Sequence, residues 1–252
     1  GWPVCSERRL LPMNEAVLYS YSAEEARQQG ELALWRASHQ ANIACKTAIE
    51  QAICGSFDGM HLKADCLDGV LRDFGYKRTA WVLANTLQQK AWDGRFSPVN
   101  QQWSRRTHIP LDPQHNSDFV IGSHPAVLDG AVTMYRERVQ ALGLFEAEQC
   151  LMNSGEELDY TGQVLVLDPD VLKEEFWTPQ SQLWYACDGF GCRPHAIGRS
   201  IRAICLGDGE TAKWNRSDFV GILKDEYLPE WAAARVKELR PQQTGGMKME
   251  GR

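Results

Sequence analysis

The sequence predicts an α+β protein: an N-terminal helical domain followed by a small antiparallel β-rich domain closed by helices. Three observations lead there. Apolar residues recur at helical spacing, with capping signals, from Ser22 to about residue 150. Past residue 162 the apolar runs shorten to strand length and are separated by glycine turns. Gly207-Asp208-Gly209-Glu210, lying between two such runs, is a hairpin signal, because glycine supplies the positive φ angles of tight turns.

The helical half reads in order. Ser22-Ala-Glu-Glu25 is a capping box, in which the serine hydroxyl and the glutamate carboxylate each satisfy a backbone N–H that the first turn leaves orphaned. Leu32, Trp35, His39, Ile43, Ala44, Ala48, Ile49 and Ile53 then keep one helical face to Gly55, and Gly30 separates a short first helix from this long second one. Met60–Phe74 is a further amphipathic segment closed by Gly75, and Arg78–Lys90 another, with Trp81, Val82, Ala84 and Leu87 on its apolar face. Ser123-His-Pro125 opens a last long helix, whose apolar positions run to Gly143. The aperiodic stretch between Ala91 and Gly122, with Pro98, Pro110 and Pro113, is too long for an idle connector and should be packed or functional.

Residues 151–178 hold seven acids (Glu156, Glu157, Asp159, Asp168, Asp170, Glu174, Glu175) against Lys173 alone. They read as an acidic linker or edge strand, within which Gln163–Leu167 is β-prone. Gln182–Cys187, Ser200–Leu206 and Thr211–Arg216 are strand candidates, Ser217 caps a short helix through Leu223, and Pro229–Leu239 is a closing helix. The predicted organisation is an N-terminal extension (1–20), a helical domain (21–150), the acidic linker (151–178), the β-rich domain (179–240) and a frayed tail (241–252).

Composition excludes some functions. The 252 residues carry 27 bases and 33 acids, a net charge of −6, so no global positive field draws the chain onto nucleic acid or an anionic membrane. No apolar run approaches the ~18 residues needed to span a bilayer. Gly1–Met13 bears Arg8 and Arg9 after a short apolar start and does not read as a signal peptide; Met13 reads as a natural start, and the cytoplasm is the expected location. The eight cysteines are then thiols or metal ligands rather than a disulfide framework.

Cys187, Cys192, His195 and Cys205 have the right softness for zinc. Their spacing is not that of a knuckle, so buried thiols with a surface histidine are the preferred reading, and no metal and no cofactor are expected. Gly189-Phe190-Gly191 and Gly198 fit neither the dinucleotide nor the P-loop spacing and read as tight turns. His39 and Cys45 lie six residues apart, on poorly matched helix faces, and no Gly-x-Ser-x-Gly occurs, so no catalytic residue is assigned.

Residues 72–106 are the exception in charge. Seven bases (Arg72, Lys77, Arg78, Lys90, Arg95, Arg105, Arg106) face Asp73 and Asp93, with Trp81, Trp92 and Trp103 interleaved. Bases contact phosphates and an exposed aromatic can stack, although most tryptophans of small domains are core. The expected partner-binding residues are Arg95, Trp103, Arg105 and Arg106. The alternative surface is the acidic set Glu156, Glu157, Asp159 and Asp170, which would mimic a phosphate backbone.

Several runs carry a resemblance: Tyr21–Ala26, Arg36–Lys46, Phe57–Leu62, Val82–Thr86, Trp92–Ser97 and Ser123-His124-Pro125. They resemble an uncharacterised family, a domain of unknown function carried by mobile genetic elements of gut Firmicutes. Leu183-Trp184, Gly189-Phe190-Gly191-Cys192, Gly198-Arg199, Asp208-Gly209-Glu210 and Trp214–Phe219 are similar to a small C-terminal module of such proteins. The resemblance implies an accessory protein of a plasmid, phage or conjugative element, without implying an activity. The expected function is binding: inhibition or modulation of a host nucleic-acid-processing machine, of anti-CRISPR or anti-restriction type, with a protein or nucleoprotein partner, possible nucleic acid and no membrane. The alternatives are a DNA- or RNA-binding factor in element transfer, and an enzyme with an unrecognised site.

Overall fold

The computed structural model describes residues 16–152 and 158–240. The chain is α+β, helical to residue 140 and built around one antiparallel sheet thereafter, and it divides after Val139 into two compact units. None of the described helices is long and apolar enough to cross a membrane.

The first unit starts with the predicted capping box. The Ser22 hydroxyl accepts from the Glu25 amide (3.2 Å) and the Glu25 carboxylate accepts from the Ser22 amide (2.8 Å), opening helix α1 (Ala23–Gln29). Gly30, at φ +74°, closes it. Helix α2 (Leu32–Ser56) buries Ala41, Cys45, Ile49 and Ile53, one residue per turn. Helix α3 (Asp68–Gln89) holds two helical segments that meet at Gly75, as the predicted segments closed by Gly75 and opened at Arg78 imply. Gly75 is non-helical (φ +78°, ψ 170°), and the Thr79 hydroxyl donates to its carbonyl (2.7 Å) where the second segment begins.

The stretch 91–122 is not a loop. It holds helix α4 (Pro98–Arg106) and the short α5 (Pro113–Asn116). Ser97 caps α4 with Pro98 in its first turn, the same kind of start signal as Ser123-His-Pro125; nine residues with few apolar side chains are too short for a periodicity to show. Helix α6 (Pro125–Gln140) completes the unit, and Leu83, Leu87, Leu128, Val132 and Tyr135 meet in its core with Phe96, Phe119 and Ile121.

The second unit is a six-stranded antiparallel sheet in the order β1-β6-β2-β3-β4-β5. The strands are β1 (Cys150–Leu151), β2 (Val164–Leu167), β3 (Leu183–Asp188), β4 (Ser200–Cys205), β5 (Thr211–Asn215) and β6 (Phe219–Leu223), with a single-turn α7 (Pro179–Gln182) before β3. Two sequence readings are corrected here. The β-prone part of the acidic segment is not an edge strand: Leu165 lies opposite both Trp184 and Ile222, so β2 is interior. Its unbroken Val-Leu-Val-Leu run is the pattern of a strand covered on both faces.

Residues 219–223 are strand β6, not a helix capped by Ser217. The Asn215 side chain accepts from the Ser217 amide, closing a single 3₁₀ turn, and the chain then extends between β1 and β2. A Cβ at Gly221 would stand 2.4 Å from the Leu151 carbonyl oxygen, so the strands approach too closely there for any other residue. One face of the sheet packs Leu165, Leu167, Trp184, Ile201 and Phe219; the other packs Val164, Val166, Leu183 and Tyr185 against Ala232 and Val236 of helix α8 (Glu230–Leu239).

Candidate functional site

Two places in the helical unit gather chemistry-bearing side chains. The first is the turn between α3 and α4. The Lys90 amide returns to Thr86 O, closing α3, and the Lys90 ammonium donates to the Ile121 carbonyl (2.6 Å), so this base is an anchor. Asp93 is buried and its carboxylate takes three bonds from Arg95: the backbone amide (3.1 Å), Nε (2.9 Å) and Nη2 (2.6 Å). Such a two-pronged guanidinium pair fixes geometry as well as charge. Between the α3 terminus and this locked pair, the Trp92 indole stands 81% exposed. The turn is rigid and its tip is a large aromatic in water.

Asp93 also gives a pH dependence. The Arg95 side chain, helped by the Arg95 amide and against the cost of burial, holds the Asp93 carboxyl down to about 2. A depressed carboxyl contributes stability above its unfolded value of about 4, lost as pH falls through the folded value. Thermal melts of wild type and Asp93→Asn should therefore converge as pH drops from about 4 toward 2; a gap that stays constant across that window would show that the pair does not stabilise the turn.

Helix α4 is packed between its neighbours. The Asn100 amide donates to Asp129 O (3.0 Å), Asp129 Oδ1 (2.8 Å) and Thr133 Oγ1 (3.0 Å), and its oxygen accepts from Arg136 (2.9 Å). The Gln88 amide donates to Ser104 O (2.7 Å) and Thr107 O (2.9 Å), satisfying carbonyls that the helix end leaves open. Of the four expected partner residues, Arg105 and Arg106 are exposed in the last turn of α4, a favourable place for cations. Arg95 is exposed but tied to Asp93. Trp103 turns inward, half-buried, with its ring 5.5 Å from that of Tyr135. The aromatic at this surface is Trp92 instead. Its sequence signal was position: it falls just past the end of the α3 apolar stripe, where no core face is left for it.

The second place is a cleft that the sequence reading missed. Trp35 and His39, one turn apart on α2, stack at 4.9 Å and 10° between planes. His39 Nε2 lies 3.0 Å from Asp118, and His115 Nδ1 lies 2.7 Å from Asp112. The two imidazoles are 5.7 Å apart, with Phe119 beneath His39. Burial works against ionisation of Asp112, but the Ala23 amide and the His115 ring outweigh it and lower its pKa. Tyr19 donates to Glu31 (2.7 Å), and that bond pushes the phenol up to about 12. Each carboxylate orients one imidazole ring. The enclosed space is ≈ 20 Å³, the size of a water molecule. Asp112-x-x-His115 was a readable local signal; His39 and Asp118, 79 residues apart, had none.

The remaining expected residues are spread out. Asp159 and Asp170 are exposed in the sheet unit, while Glu156 and Glu157 lie outside the described residues. Cys192 and Cys205 are buried in the sheet core, Cys187 is half-buried on β3 and His195 is exposed. Burial pushes all three thiols upward, away from the thiolate form a metal needs. Among the described residues no group of three or more His, Cys, Asp or Glu side chains is placed to hold a metal ion.

Residues 18–140, just under half of the chain, match a family described as a protein of unknown function (DUF3849). Both the Trp92 turn and the histidine cleft fall inside that segment. No curated protein and no solved structure matches the chain.

Proposed function

We propose that the protein acts by binding: an accessory protein of a mobile genetic element that docks on a nucleic-acid-processing machine in the cytoplasm of a bacterial host and inhibits or modulates it, in anti-CRISPR or anti-restriction fashion. The observation that carries the docking is Trp92. An exposed aromatic on a turn already fixed by the Asp93–Arg95 pair offers a large apolar area at little ordering cost. Tryptophan and arginine are the residues that dominate binding energy at protein interfaces. Arg105 and Arg106 add a positive rim that fits an acidic border around the partner's pocket. The class of partner is supported by the resemblance of Arg36–Lys46 and Trp92–Ser97 to proteins of mobile elements.

The test is capture of partners by the tagged chain from a host lysate, in parallel with Arg105→Glu/Arg106→Glu. Arg95 is left intact, because reversing it would strand the buried Asp93 carboxylate. The double reversal should lower the melting temperature by only a few degrees, since exposed charges add little stability beyond the preference of a helix end for cations. It should recover several-fold less of a nuclease or other nucleic-acid enzyme, with a flatter salt dependence. Equal recovery at all salt concentrations would overturn the placement of the rim, and nucleic acid recovered without protein would favour a DNA- or RNA-binding factor.

A second reading has the histidine cleft behind it. His39 and His115, each oriented by a carboxylate, have rings 5.7 Å apart, the juxtaposition a general acid and base would need. Chemical change in a captured partner that stops in His39→Gln would favour that reading.

A further inference from the structure

The loop joining β3 to β4, residues 189–199, is held with more force than a surface turn requires. Gly189 sits at φ +121°, where a Cβ would stand 2.6 Å from Ser200 O; one at Gly191 would stand 2.4 Å from Arg199 O. The loop backbone is pressed onto the start of β4 at Gly189 and onto its own closing residue at Gly191, and only glycine permits it. From below, the buried Arg216 guanidinium donates to three successive carbonyls, Gly191 (2.7 Å), Cys192 (3.2 Å) and Arg193 (3.1 Å), and to Leu158 O (2.5 Å). It lies 3.8 Å over the buried Tyr160 ring. At the loop's far side His195 is held at φ +60°, a conformation that non-glycine residues rarely adopt and that concentrates at functional sites.

What this scaffold presents is an aromatic and two cations. Phe190 is 70% exposed, and the Arg193 guanidinium lies 5.1 Å over one face of its ring, leaving the other face to solvent. Phe190, Arg193, Pro194, His195, Ala196 and Arg199 line an open cavity of ≈ 340 Å³, within the range of small-molecule sites. Among the described residues neither Arg193 nor Arg199 forms an ion pair, although the Asp159 carboxylate is near enough to act on Arg193, whereas Arg202 pairs with Asp188 and Arg235 with Glu238. Two guanidinium groups outside any ion pair with a described residue, beside an exposed aromatic face, suit a ligand with a flat ring and an anionic group.

We infer that this loop is a nucleotide site: the base stacks on the open face of Phe190, and Arg193 and Arg199 hold the phosphate. Stacking is tolerant of base identity, because every base has a π-face, and guanidinium forks match phosphate oxygens. The acidic surroundings, with Asp159 near Arg193, disfavour a long polyanion and favour a single nucleotide. The site lies in the sheet unit and is independent of the Trp92 reading.

The test is isothermal titration calorimetry of the full chain with adenosine monophosphate, adenosine and a short oligoadenylate. The monophosphate should bind saturably and more tightly than adenosine. Phe190→Ala should weaken it about 5- to 150-fold, the range for loss of one base–aromatic stack. Arg193→Glu/Arg199→Glu should bind the monophosphate no better than adenosine. Oligoadenylate binding far tighter than the monophosphate would overturn the single-nucleotide assignment, and equal or weaker binding would support it. Trp92→Ala should bind all three probes as wild type does. Because the wild-type comparison of monophosphate with adenosine needs no variant, misfolding cannot mask the result. Absence of saturable binding by either phosphorylated probe, or equal affinity for adenosine and its monophosphate, would overturn the inference.

Discussion

Trp81→Ala is expected to lower the stability of the helical unit by about 3–5 kcal/mol, the range for removing a large aromatic from a packed core. Trp81 is 7% exposed on α3, in the cluster that holds Val82, Leu83, Phe119 and Leu128, and it also floors the histidine cleft. An alanine there opens a cavity in that cluster, and the close-packed surroundings relax only partly into the space. Urea unfolding followed by far-ultraviolet circular dichroism, which the helical unit dominates, is the measurement. A midpoint shift equivalent to less than about 1 kcal/mol would show that this tryptophan is not the core residue its burial implies.

Trp92→Ala should do the opposite: leave the melting temperature unchanged and weaken partner binding by about 30-fold or more, the loss of an interface hot spot of about 2 kcal/mol or above. The contrast between two tryptophans eleven residues apart follows from the end of α3. Trp81 lies on the buried stripe of the helix; Trp92 comes after the Lys90 amide has closed it. Trp92→Phe keeps an exposed ring and should recover part of the affinity, which a purely structural role would not explain. A loss of stability in Trp92→Ala comparable to that of Trp81→Ala would mean that the ring is covered in solution.

Much of this architecture was legible locally. The capping box at Ser22, the α2 stripe from Ala41 to Ile53 and the hairpin at Gly207–Glu210 depend on neighbours within a few residues, and their chemistry is written in the spacing. What failed depended on partners distant in sequence. Val220-Gly-Ile222 became a strand because β1 and β2 offer it hydrogen bonds on both sides, and β2 became interior for the same reason. Ser97-Pro98 is a local start signal, masked by the neighbouring prolines that mark turns.

The candidate sites divide in the same way. The basic character of the α3–α4 region was visible in composition, but which of its side chains face water was not. Trp103 and Trp92 differ only in whether Tyr135, on a helix more than thirty residues on, stands opposite. The pairing of His39 with Asp118 and the clamp of Arg216 on residues 191–193 are tertiary, and no spacing announces them.

The most direct test of the central claim is a quantitative mass-spectrometric comparison of what wild type and Trp92→Ala, equally folded and equally loaded, retain from a host lysate. The docking account predicts that one nucleic-acid-processing enzyme or its subunits fall by at least an order of magnitude in the variant while the background stays the same. Retention of the same proteins in the same amounts by both would contradict it.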